Sequence, residues 1–282
     1  MKLSISSTTI GDGTIKGAIQ YCKDLEVDRL VVPFRHVPGF QEKGYLELDA
    51  VKNIKQEIED AGMAFSIMVT RPELSMITGA PQGETHWNNL SRSMEVMGEV
   101  GADVLSIFIT RDRPDDPSQV EAAWARLVDF YRKFMAHAER CGVKVAFHPA
   151  ARTADRPRRD LVHDYETVSK LMQEAPSPSN GVCFCVGNFW LSAGEGIYDV
   201  IRALDEKIFH VHIRSTKQGQ GETPFWLDSG GPDIRKVAQA LRDIDYGGEM
   251  TPEHLPEVAG ENRAETGTAC VIGYMKALLQ YT

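Results

Sequence analysis

Short β-branched runs alternate with segments of helical period along the whole chain, the pattern expected of repeated βα units around a parallel sheet. Eight runs read as strands: Lys2 to Ser6, Arg29 to Phe34, Ala64 to Val69, Val104 to Ile109, Val143 to His148, Val182 to Gly187, Ile208 to Arg214 and Glu249 to Glu253. Helical periodicity covers Asp49 to Ala61, Trp87 to Val100, Ser118 to Arg140, Ile197 to Asp205, Asp233 to Ile244 and about Glu265 to Gln280. Gly62, Gly101 and Gly142 stand just past helical stretches, where a left-handed C-cap costs glycine little. No low-complexity linker interrupts the alternation, and no Gly-rich phosphate loop follows the first strand. The expected architecture is therefore one α/β domain over residues 1–282, a (β/α)8 TIM barrel in preference to an open doubly wound sheet. The long unpatterned connections, Arg71 to Glu84, Ala150 to Asp164 and Ser215 to Gly231, all follow strands, on the side where a barrel builds its active site.

Strand parity then selects the chemistry. In Ile208 to Arg214, residues His210, His212 and Arg214 share one face, while Phe209, Val211 and Ile213 share the other. The apolar face suits the helical ring, so the polar face points into the barrel, where its groups need a ligand, a metal or one another. The same parity groups Cys183, Cys185 and Gly187, and pairs Ala146 with His148. A single buried Cys is more often a small apolar residue than a ligand. His148, Cys185, His212 and Glu253, however, each close one of four successive runs, and consecutive barrel strands end at one mouth. They form a candidate site for one divalent ion. Nitrogen, sulfur and a single carboxylate suit Zn, Mn, Fe or Co and exclude a pure Mg or Ca site, which prefers oxygen throughout.

Other residues carry two readings each. His36, after the second strand, either reaches a substrate across the mouth or is a loop histidine. Trp190 and Trp226 either stack on a sugar face or pack in the core. Asp228 and Asp233 flank a Gly-Gly-Pro turn, and Asp233, beside Pro232, reads first as a helix-start residue.

Composition narrows the partners. With 282 residues, 42% hydrophobic and 25% charged, the chain has material for one large core. A formal charge of −9 opposes a nucleic-acid partner, and the basic stretch Arg152, Arg156, Arg158 and Arg159 reads as a solvated loop. The five cysteines have no disulfide or zinc-knuckle spacing, which fits a reducing, cytoplasmic setting. Residues Met1 to Thr9 lack a secretory apolar core, and no run reaches the ~18 apolar residues of a membrane span. Association into a homo-oligomer stays open.

The blocks VAFHPA (145–150), GVCFCVGN (181–188), FHVHIRST (209–216), TPEHLP (251–256) and IGYMKAL (272–278) resemble successive blocks of the metal-dependent mannonate dehydratase family, among the xylose-isomerase-like barrels. FRHVPG (34–39) and IEDAGMAFSIM (58–68) are similar too, so the resemblance covers most of the chain. It implies that His148, Cys185 and His212 match the family's metal-binding His, Cys and His, that Glu253 replaces its Asp, and that Mn is the expected metal. It further implies acid/base work for His254 and a role for Arg214 against a substrate carboxylate or hydroxyl. Three departures stand out. The acidic, Pro-rich stretch after the strand-five histidine is here Pro149, Ala150, Ala151 and Arg152, and the tyrosine near the final helix falls on Ala269. The family's large helical insertion is missing between Arg111 and Val120. The expectation is a metal-dependent lyase that dehydrates a sugar acid or keto sugar, with His36, Arg214 and Trp226 as substrate contacts. An isomerase or epimerase sharing the same proton abstraction, or a non-catalytic sugar-binding barrel, are the alternatives.

Overall fold

The computed structural model describes residues 1–8, 13–71, 73–108, 114–150, 160–217, 221–222, 230–254 and 263–281. Its strands are β1 (Lys2–Leu3 and Ile5–Ser6, two halves interrupted at Ser4), β2 (Leu30–Pro33), β3 (Ile67–Thr70), β4 (Val104–Phe108), β5 (Lys144–His148), β6 (Asn180–Cys185), β7 (Ile208–Ile213) and β8 (Glu249–Pro252). Neighbours in sequence are neighbours in the sheet. Lys2–Leu3 pairs in parallel with β8, whereas Ile5–Ser6 pairs with β2, so the interrupted first strand closes the barrel.

The helices of eight residues or more are α1 (Ile15–Asp24), α2 (Leu48–Asp60), α3 (Gly83–Val100), α4 (Val120–Cys141), α5 (Tyr165–Glu174), α6 (Val186–Ala193), α7 (Ile197–Leu204), α8 (Ile234–Asp243) and α9 (Arg263–Tyr281). Gly62, Gly101 and Gly142 adopt φ of +77°, +74° and +67° after α2, α3 and α4, as their positions predicted. Asp233 caps α8 by accepting from the Arg235 N–H, so its helix-start reading holds. The apolar shell between strands and helices includes Val145, Phe147, Val182, Phe184, Val211 and Met250, all fully buried. A smaller cluster of Val31, Ile67, Val104, Ala146 and Cys183 fills the lower barrel interior.

Strand parity fails at one point. A register irregularity between β6 and β7 sets Val182 opposite Ile208 and Cys183 opposite His210, so β7 carries one extra residue, Phe209. Ile208 joins the outer shell, and Phe209, expected outside, packs against the inner cluster instead. Its ring lies where a side chain at Gly181 would stand, with Cε2 2.3 Å from the position of a Cβ. From His210 onward the expected parity is restored.

Two further expectations shift. β6 ends at Cys185 and α6 begins at once, so Gly187 is helical and does not continue the strand. Trp190 is 8% exposed and belongs to the core, which selects packing over sugar stacking. Trp226, Asp228, Ala151 and the basic stretch from Arg152 lie outside the described residues. Among the described residues, no helix is long and apolar enough to cross a membrane.

Candidate metal centre and cleft

A hydrogen-bonded polar layer lies in the barrel directly below its mouth. His210 Nε2 lies 2.7 Å from Thr251 Oγ1, which lies 2.8 Å from Ser4 Oγ, and Cys183 Sγ stands 3.7 Å from His210 Nδ1. Burial drives His210 well below the usual histidine range, helped by the neighbouring His212 and His148, so the ring is neutral. Burial likewise raises the Cys183 thiol well above its usual range. One arrangement satisfies all of these groups: the thiol donates to Nδ1, Nε2–H donates to Thr251, and Thr251 donates to Ser4.

Above this layer, one oxygen gathers the predicted ligands. Glu253 Oε2 lies 3.3 Å from His212 Nδ1, 3.8 Å from His148 Nε2 and 3.6 Å from Cys185 Sγ. Glu253 follows β8 directly, and its N–H donates to the Ile213 carbonyl at 2.9 Å, extending the ladder and keeping the side chain on the inner face with Thr251. Burial alone would raise the Glu253 carboxyl, but the surrounding His212, His148 and His254 hold it well below the usual range, so it is ionised. Burial lowers His212.

Both nitrogens of His148 and Nδ1 of His212 are buried with no hydrogen-bond partner. Three orphaned imidazole nitrogens at one buried site are costly unless something binds them, and a divalent ion is the partner that imidazole, thiolate and carboxylate share. The donor set therefore fits a metal. Donor atoms fall within 4.8 Å of one another in two triads, His148, Cys185 and Glu253, and His148, Cys183 and His212. The predicted ligands are thus divided between two sets that share His148, with Glu253 Oε2 bridging to His212.

Local structure sets each donor. Phe108 lies opposite His148 in the sheet, and their rings sit 4.6 Å apart at 33°, fixing the imidazole plane. Cys185 stands at the N-terminus of α6, where the Asn188 backbone N–H bonds the sulfur; burial nevertheless pushes the thiol up to about 12. An ion taking this sulfur must displace its proton.

Arg214 is 3% exposed and stands behind Glu253, with Nε 3.8 Å from Oε2. Its Nη2 donates to Asn188 Oδ1 at 2.6 Å, and Asn188 Nδ2 donates to the Pro149 carbonyl at 2.7 Å. Gly187 makes room for this arrangement, because a Cβ there would stand 2.4 Å from Arg214 Nε. Asn188 was not singled out from the sequence. Its place directly after a ligand-bearing strand, inside GVCFCVGN, was the available signal.

His254 has φ of +51°, a left-handed backbone unusual for a non-glycine residue. That turn brings Nε2 to 3.6 Å from Glu253 Oε1 while leaving the side chain 43% exposed. His212 and Glu253 open on a cleft of about 700 Å³ whose walls also include Arg35, Arg71, Phe108 and His254. The guanidinium of Arg71 lies 5.0 Å over the Phe108 ring. His36 does not line this cleft; its Nδ1 lies 3.0 Å from Ser7 Oγ, and burial lowers its pKa.

An eight-stranded parallel barrel with a His/Cys/His/Glu cluster at its C-terminal mouth defines the class, and residues 19–274 match the model of the xylose isomerase-like TIM barrel family. The chain belongs to that family. A mannonate dehydratase of Brachyspira hyodysenteriae is 24% identical over 274 residues, covering 72% of this chain and 77% of that protein. A mannonate dehydratase of Thermotoga petrophila is 28% identical over 154 residues, but the match spans 50% of this chain and 41% of the relative. Among solved structures, mannonate dehydratase from Streptococcus suis serotype 2 superposes with a TM-score of 0.81 at 20% identity, covering 99% of this chain and 93% of its own. The 3-keto-D-glucoside 4-epimerase of E. coli gives 0.75 at 16% identity, covering 98% and 99%. These relatives are enzymes, and at such identities the structural likenesses establish the fold.

Proposed function

We propose that this chain is a metal-dependent lyase that dehydrates a small polyhydroxy acid or keto sugar in the manner of a mannonate dehydratase. The observation that carries the reading is the convergence of His148, Cys185, His212 and Glu253, with orphaned imidazole nitrogens, beside a cleft that His212 and Glu253 line and that is large enough for a sugar acid. These four residues would hold one divalent ion, with Mn expected from the resemblance and Zn, Fe or Co compatible with the donors. Bound there, the ion supplies a Lewis acid that stabilises negative charge on substrate oxygens.

The chain's own groups do the rest. His254, half in solvent at the cleft rim and beside the Glu253 carboxylate, takes the proton from the carbon next to the carboxylate or carbonyl. Hydroxide then leaves from the neighbouring carbon and takes up the proton held on His254, so that water is released. Arg214, buried behind Glu253 and tied to Asn188, orients that carboxylate and balances its charge. Its burial favours this positioning role over direct substrate contact.

An epimerase shares the first step, because the same deprotonated intermediate can regain a proton on either face. The family's epimerase folds keep that reading in play, as do the alanines at positions 150 and 269 where the resemblance expects functional groups. The test is metal analysis followed by NMR of the loaded protein in deuterated water with a panel of sugar acids and keto sugars. Deuterium entry with a 2-keto-3-deoxy or enone product is the expected result. Exchange or epimer formation without dehydration would transfer the assignment to the epimerase, and no exchange with any substrate would favour a binding barrel.

A further inference from the structure

The second triad is not explained by the proposed reaction. Cys183 lies one inward position below Cys185 on β6, fully buried, and its sulfur falls within 4.8 Å of donor atoms of His148 and His212. His148 and His212 are 4% and 7% exposed, with nitrogens that lack hydrogen-bond partners, so unpaired donors are already present at this depth. The outer triad includes the Glu253 carboxylate, whereas the inner one offers only nitrogen and sulfur. Ligand softness selects the ion: an oxygen-containing set accepts Mn, and an N/N/S set favours thiophilic ions such as Zn, Cd or Cu(I). Apolar Val31, Ile67, Val104 and Ala146 pack against Cys183, and no carboxylate joins the inner triad.

We infer that His148, Cys183 and His212 form a second, deeper ion position for a thiophilic metal, and that occupying it excludes an ion from the outer position. Both triads need a donor from His148, so the two ions compete for one imidazole. Binding there releases the Cys183 thiol proton to solvent, and the thiolate takes its place on the ion. A thiophilic ion would therefore displace the working metal by moving one layer down the barrel. This rests on the metal reading above for its outer half, but the inner position is tested independently of activity.

The experiment uses the full chain titrated with Cd²⁺, read by the ultraviolet thiolate-to-cadmium charge-transfer band, with Mn²⁺ release followed by electron paramagnetic resonance. In Cys185→Ser the band should persist at one Cd²⁺ per chain, carried by Cys183. Adding Cys183→Ser should abolish it and weaken Cd²⁺ binding by more than ~100-fold, since second-shell changes alone cost 10- to 100-fold. Circular dichroism, with Cys183→Ala as a second variant, separates lost binding from lost fold. A folded Cys185→Ser chain without the band would overturn the inner position. Two Cd²⁺ per chain, or Cd²⁺ uptake without Mn²⁺ release, would overturn the mutual exclusion. Absence of any metal binding by the wild type would count against the outer site as well and so marks failure of the broader reading.

Discussion

Replacing Thr251 with valine tests whether the polar layer under the metal ligands is held by the chain of hydrogen bonds seen in the barrel. Valine nearly matches threonine in volume, so the substitution leaves little cavity and isolates the hydroxyl. That hydroxyl is 2.7 Å from His210 Nε2 and 2.8 Å from Ser4 Oγ, and Ser4 and His210 are both 0% exposed. Water cannot replace either bond. Each stranded group costs ~1–3 kcal/mol, so Thr251→Val should destabilise the fold by about 2–4 kcal/mol. At ~2–4 °C per kcal/mol for a domain of this class, Tm should fall by roughly 4–16 °C. Urea titration should show a lower midpoint with an unchanged slope, because the surface exposed on unfolding is the same. Ser4→Ala combined with Thr251→Val removes one stranded hydroxyl and should recover ~1 kcal/mol relative to the sum of the single losses. A loss below ~0.5 kcal/mol for Thr251→Val, or strictly additive losses in the double variant, would refute the chain.

Cys185→Ala and Glu253→Gln should each lower metal occupancy measured by elemental analysis, and full occupancy in both would sink the proposed centre. His254→Asn should keep the metal and lose ~10²- to 10⁴-fold in turnover, whereas unchanged turnover would remove His254 from acid/base work. Gly187→Ala gains helix propensity, so any defect is steric: the Cβ would stand 2.4 Å from Arg214 Nε, and turnover should fall while circular dichroism stays native. For the metal-free protein, the folded-state pKa values of His210 and His212 lie below the unfolded value of 6.5, so the unfolded chain binds more protons as pH drops. Their contribution is fully present above pH 6.5 and is lost progressively as pH falls from 6.5 toward the lowered folded-state values, at up to ~1.4 kcal/mol per group per pH unit. Urea midpoints that stay level or rise across this window would contradict the buried neutral histidines.

The sequence by itself determined which residues meet at the mouth. Period-two alternation is a local property of an extended chain, so His212 and Glu253 were assigned to the inner face, and the glycine caps followed from the steric freedom of one residue type. Phe209 lay beyond that reach, because its inward turn comes from an extra residue in the pairing of β7 with β6, and register belongs to two strands rather than one. The left-handed turn at His254, the Asn188–Arg214 brace and the packing of Trp190 also required the fold, since each depends on neighbours far away in the chain. Whether Cys183 shares His148 with Cys185 was likewise decided by distances across strands, where a few ångströms separate a filler from a ligand.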